Sequence, residues 1–247
     1  MADGAVLTAV IAAFVAGSLL KGMTGLGLPP VVLPVLTPLV GVEHAVAVLA
    51  LPTVVGNGWL AWTNRQARSE NPWLAILAAG AAVGGVAGAL ILITVDEHVL
   101  AAALVLLVVT MIVIRLRRPD WRLRRTAAGI GAAPVGLLGG TLQGATGLSA
   151  ALVGAWTNAL GLSRDGFVLT TSVVLQLASL SQAVTLLGLG ALAGDRLWQA
   201  GLACALVIAL LPVGQRLGRR LNRAWFDRLV LMVLLGSAGG LFVAAAL

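Results

Sequence analysis

The chain has 247 residues, 60% hydrophobic and 10% charged, with a formal net charge of +7 and a mean hydropathy of +1.03. A soluble domain carries about 25% charged residues, so these values exclude an ordinary water-soluble fold. The long Leu/Ala/Val runs also exclude the short alternating strands of a β-barrel. What remains is an all-α polytopic membrane protein.

The predicted elements divide into ten apolar segments. The first five cover about 4–21, 28–42, 44–62, 73–94 and 98–115, and the second five about 127–143, 148–162, 166–189, 197–214 and 226–247. The uncharged run over 74–95 is long enough to cross a hydrocarbon core of ~30 Å as a helix. In each group the first two segments are shorter and are separated by a glycine-rich break, as in a tight helical hairpin with both ends on one side. The apolar N-terminus lacks the positive leader of a signal peptide and has a counterpart later in the chain, so it is read as part of the fold.

That counterpart is an ungapped internal repeat. "GSLLKGMTGLGLPPVV" (17–32) aligns with "GGTLQGATGLSAALVG" (139–154), setting Lys21 against Gln143, Gly22 against Gly144 and Thr24 against Thr146. Gly25 then meets Gly147, and Gly27 meets Ser149. Farther on, the spacing Gly84/Gly88 recurs as Gly214/Gly218. The expected organisation is a first repeat over 1–116, a basic linker over 117–126 and a second repeat over 127–247.

Arginine placement sets the expected orientation, because cytoplasmic loops collect positive charge. The basic loops 63–72, 115–126 and 215–228 belong inside, while the 94–98 loop, without arginine, belongs outside. Those last two loops occupy equivalent repeat positions, so the repeats should have inverted topology, with both termini outside. Of the fifteen arginines, only Arg196 then lies outside. Arginine gathered at loops serves orientation and gives no basis for a nucleic-acid partner. Trp62, Trp73, Trp198 and Trp225 fall at segment ends, where indoles favour the headgroup region. Trp59 and Trp156 lie deeper, at positions that could line a cavity.

Inverted repeats with corresponding Gly/Pro-broken segments point to the substrate site of a secondary transporter. Here the breaks are 21–30 and 143–150, expected to meet near the midplane. Glycine permits the turn, Pro29 and Pro30 suit the first turn of the next helix, and its free N–H groups favour an anion. Lys21, the only lysine, supplies a countercharge on this reading; on the alternative it ends its helix and snorkels to the interface. The candidate substrate-binding residues are Lys21, Gly22, Thr24, Gly25, Gly27, Asn57, Gln143, Gly144, Thr146, Gly147, Ser149 and Gln176. Asn57 and Gln176 are included because amides facing lipid are costly, and Ser179 is the repeat partner of Asn57. Gly84/Gly88 and Gly214/Gly218 read as packing surfaces.

All nine carboxylates lie in loops or at segment ends, so no mid-membrane proton relay or cation site is evident. His44 and His98 cannot supply paired haem ligands, and Cys204 is the only cysteine. No catalytic constellation, metal site or cofactor is expected.

"KGMTGLGLPPVVLPVL" and its echo "QGATGLSAALVG", in a chain near 250 residues, resemble the TauE/SafE sulfite-exporter family, also called the toluene sulfonate uptake permeases. The resemblance covers essentially the whole chain. It departs at Ser149, Ala150 and Ala151, where the family is richer in glycine. The resemblance implies transport of sulfite, sulfonates or related organic anions across the cytoplasmic (inner) membrane. An anion channel of the same fold and a non-transporting membrane subunit are the alternatives. The expected partners are a small anion and the lipid bilayer, with a coupling ion (proton or sodium) and homo-oligomerisation left open.

Overall fold

The computed structural model describes residues 2–96 and 125–222 and the isolated positions 99, 123, 225, 226, 228, 229 and 232. Almost all of the fifth segment of each repeat (98–115 and 226–247), most of the 117–126 linker, His98 and the C-terminal orientation lie outside the described residues.

Among the described residues the secondary structure is helical. In chain order the helices are α1 (Ala2–Thr24), α2 (Leu28–Val40), α3 (Val42–Thr63), a 3-10 turn (Arg65–Glu70), α4 (Leu74–Thr94), α5 (Arg125–Thr146), α6 (Ala150–Ala159), α7 (Arg164–Gly188) and α8 (Asp195–Arg219). Five are long and apolar enough to cross a membrane: α1 from Val6, α3, α4, α7 and α8. The fold is thus an all-α, multi-pass membrane protein. Trp62 and Trp198 are exposed, as headgroup-level indoles would be. Trp59 is exposed as well, while Trp156 is buried.

The two breaks are narrower than the sequence suggests. α1 runs through Lys21 to Thr24, and α5 runs through Gln143 to Thr146. Lysine and glutamine are good helix formers, so the helix stops only where the backbone turns left-handed, at Gly25 (φ 83°) and Gly147 (φ 71°). A side chain is strained at such angles. The turns are then stitched alike. Thr24 Oγ1 lies 2.8 Å from the Leu20 carbonyl and accepts from Leu26 N at 3.1 Å. Thr146 Oγ1 donates to the Leu142 carbonyl (2.7 Å) and accepts from Leu148 N (3.1 Å). α2 folds back on α1, with Leu28 against Gly17, and α6 folds back on α5, with Val153 against Gly139.

Two glycine seams hold the bundle. In one, Gly84 of α4 lies on the backbone of Leu137 and Thr141 of α5, and Gly88 lies on Thr141 and Ala145. From the other side Gly136, Gly140 and Gly144 meet α4 backbone between Leu77 and Ala89. In the second seam, Gly214 of α8 lies on Leu19 of α1 and Gly218 on Met23. Small residues let helix backbones approach this closely in a bilayer, where packing replaces the hydrophobic effect as the driving force.

These contacts also fix direction. α1 and α8 advance together, as do α4 and α5. α3 runs with α8, since His44 meets Gln199 (2.7 Å) and Trp59 meets Gln215 (3.3 Å). α7 runs with α4: Asn71, just before α4, meets Thr170, and Gly85 meets Ala178 and Ser181. The start of α7 sits at the ends of α1 and α8, because Arg164 Nη2 donates to the Met23 carbonyl (3.2 Å) beside Gly218. Hence α1, α3 and α8 run one way, and α4, α5 and α7 the other.

Candidate functional site

Both glycine breaks open onto one small cavity. It is lined by Lys21, Leu26, Gly27, Pro29, Pro30 and Thr53 from the first half of the chain, and by Gln143, Gly147, Ala150 and Leu175 from the second. Its volume is about 10 Å³, room for about one water. The tips also touch directly, since Gly147 faces Leu33 and Pro29.

Lys21 is 1% exposed. In a helix the Cα–Cβ bond tilts toward the N-terminus, so this side chain leans back into the bundle, away from the end of α1. Its Nζ donates to Asn57 Oδ1 of α3, and its stem passes against Gly56, where a side chain would occupy the same space. The amine therefore ends inside the protein and not at an exposed helix end, which disfavours the snorkelling alternative. Among the described residues the one ion pair joins Arg196 to Glu43 at 2.6 Å, and Lys21 has no carboxylate partner.

Two of the surrounding polar groups are unused donors. Asn57 Nδ2 and Thr53 Oγ1 are buried without a hydrogen-bond partner. They lie four residues apart, on one face of α3. On the opposite tip Gln143 lines the cavity, and its Oε1 accepts from Ser149 Oγ at 2.9 Å. Buried polar groups are nearly always satisfied in folded proteins. A lone ammonium, an amide N–H₂ and a hydroxyl left over together suit a ligand rich in acceptors.

The remaining expected residues take other places. Gly25 packs against Val168 and Thr171 of α7, while Gly27, with φ 121°, keeps its backbone in the cavity wall. Gly22 lies on α8 backbone at Leu211 and Gln215, and Gly144 lies on α4; both serve the seams. The Gly144 carbonyl accepts from Gln182 Nε2 at 2.8 Å, tying the second tip to α7. The hydroxyls of Thr24 and Thr146 are spent on the backbone turns in this conformation, because the breaks orphan backbone groups that must be paired. Gln176 faces Gly58 across the α3–α7 contact and does not line the cavity.

Two residues with a clear place here escaped the sequence reading. Thr53 is one turn before Asn57 in an apolar helix, and that spacing was the available signal. Gln182 is three residues beyond Ser179 on α7, a second amide-and-hydroxyl stripe that is equally legible.

Among the described residues no cluster of His, Cys, Asp or Glu could hold a metal ion. The sequence matches the family model described as Sulfite exporter TauE/SafE over residues 9–241. No curated protein and no solved structure matches it.

Proposed function

The chain belongs to the TauE/SafE sulfite-exporter family, and from that membership we propose that it carries sulfite, a sulfonate or a related small sulfur oxyanion across the cytoplasmic membrane by alternating access. The family is one of sulfur-anion transporters in membranes, which implies a non-enzymatic role. The observation that carries the reading is the lone buried amine of Lys21, which lines a cavity between the two breaks together with the unpartnered Thr53 hydroxyl. Lys21 supplies the countercharge, Asn57 positions it, and Thr53 and Gln143 bond the anion's oxygens.

Helix directions support an inverted repeat. The helices that the sequence repeat pairs with α1, α3 and α8 are α5, α7 and α4, and each runs opposite to its counterpart. Such a pair of halves lets one rock against the other around a fixed site. A cavity with room for about one water supports a carrier caught closed over an open pore. The arginine pattern supports cytoplasmic 63–72, 115–126 and 215–228 loops and an outer N-terminus. A coupling proton carried on the substrate fits a cavity wall without carboxylates.

Purified protein in vesicles should show saturable sulfite flux that is accelerated by substrate loaded on the far side. Lys21→Gln should abolish it while the protein still folds. Undiminished flux in that variant would remove the basis of the proposal.

A further inference from the structure

The two hairpin tips present corresponding positions to the same cavity, but with different charge. Lys21 stands on one side and neutral Gln143 on the other. Thr53 faces the cavity from α3, and at its repeat position α7 offers Leu175. The cation and the lining hydroxyl therefore both come from the first repeat, and the second contributes the neutral amide of Gln143.

Among the described residues, no further charge reaches the cavity from the helices packed around it. α2 and α6 carry no charged residue. On α3, Glu43 stands at the first turn and is paired with Arg196 of α8. On α7, Arg164 and Asp165 sit at the start; Arg164 bonds the Met23 carbonyl and does not line the cavity. The cations Arg216 and Arg219 fall in the last turn of α8, and Arg125 begins α5. Among the described residues, the site thus offers at most one positive charge.

Resting on the carrier reading above, we infer that the site takes a singly charged oxyanion, of the hydrogen sulfite or alkylsulfonate type, and rejects dianions of the same size. A monoanion against Lys21 forms a neutral pair whose oxygens meet the Thr53 hydroxyl and the amide N–H groups. A dianion leaves one buried charge without a partner, the arrangement a low-dielectric interior penalises most. Hydrogen bonds from neutral donors offset only part of that cost. Methanesulfonate and sulfate test the inference well, since both are compact and tetrahedral at sulfur and differ in charge.

The experiment is calorimetric titration of the detergent-purified full chain with each anion, at one neutral pH and matched ionic strength. Methanesulfonate should bind, and sulfate should bind about a hundredfold more weakly or not detectably. Sulfate binding as tightly as methanesulfonate would overturn the inference and leave the carrier reading standing. Failure of sulfite, methanesulfonate and sulfate alike to bind would overturn both. Gln143→Lys places a second cation at the matching position and should shift preference toward sulfate by about tenfold or more. A folded Q143K protein with an unchanged ratio would refute the charge-counting argument; if Q143K does not fold, the wild-type ratio alone decides.

Discussion

Gly56 offers a way to move Lys21 without altering its charge. A Cβ built on Gly56 would lie 2.7 Å from Lys21 Cε and 3.2 Å from Cδ. Ordinary carbon contacts are about 3.5–4.0 Å, so Gly56→Ala requires the lysine tip to retreat by about 1 Å. The obstacle is the far end of a flexible side chain, which can yield, and Val207 Cγ1, at 3.4 Å, is already in normal contact. The retreat stretches the Lys21–Asn57 hydrogen bond, and interhelical hydrogen bonds in membranes are worth about 0.6–2 kcal/mol. Substrate affinity should therefore fall about 3- to 30-fold. In a helix interior, alanine is about 1 kcal/mol more favourable than glycine, so the fold should lose little or nothing. Counterflow of labelled sulfite in vesicles gives KM, and thermal unfolding in detergent gives stability. An unchanged KM in G56A would refute the placement of Lys21 at the substrate. A double-mutant cycle sharpens the test, because G56A should add almost nothing to the low residual binding of K21Q.

The other variants separate scaffold from site. Gly84→Ala sets a Cβ 2.6 Å from Thr141 N and 3.0 Å from Gly140 C, and backbone cannot yield as a lysine tip can. The α4–α5 seam must part, so unfolding in detergent should show a loss of about 1–3 kcal/mol or more. Thr53→Val removes a buried hydroxyl that has no partner in the fold, so stability should hold or rise. Substrate affinity should drop about tenfold for the lost bond, and a T53V protein that is destabilised with normal binding would contradict the assignment.

Much of the architecture was legible because it is written in periodic and repeated features. Apolar run lengths located α1, α3, α4, α7 and α8, and the ungapped repeat located both breaks. Glycine at Gly25 and Gly147 marked the turns because only left-handed backbone serves there. Less legible was how far each helix continues into its motif. A string of glycines reads as unwound, yet Gly22 and Gly144 stay helical because a neighbouring backbone lies where a side chain would be. The Thr24 and Thr146 hydroxyls read as ligand donors from their place beside the break. Their use on the backbone depends on which carbonyls the turn orphans, and residue spacing does not reveal that. Thr53 is only weakly legible: its spacing from Asn57 is a signal, but a lone threonine in an apolar helix commonly bonds its own backbone, and its unpartnered state is visible only in the fold.

Repetition and chemistry divide the labour in this chain. What the two halves share is mechanical: a threonine-stitched break, a hairpin folded back on its first helix, and a glycine seam joining the first helix of one half to the fourth helix of the other. A fold that closed on both sides with the same chemistry would put two lysines across a cavity of about 10 Å³, where like charges destabilise each other. Replacing one by Gln143, and steadying that amide with Ser149, leaves one cation that a single anion can neutralise. On the carrier reading, a bound anion neutralises the buried ammonium, which an empty site leaves without a counter-ion. The energy of that difference is available only where the amine is buried. This is why the position of Lys21, back inside the bundle against Asn57, matters more to the transport reading than its presence in the motif.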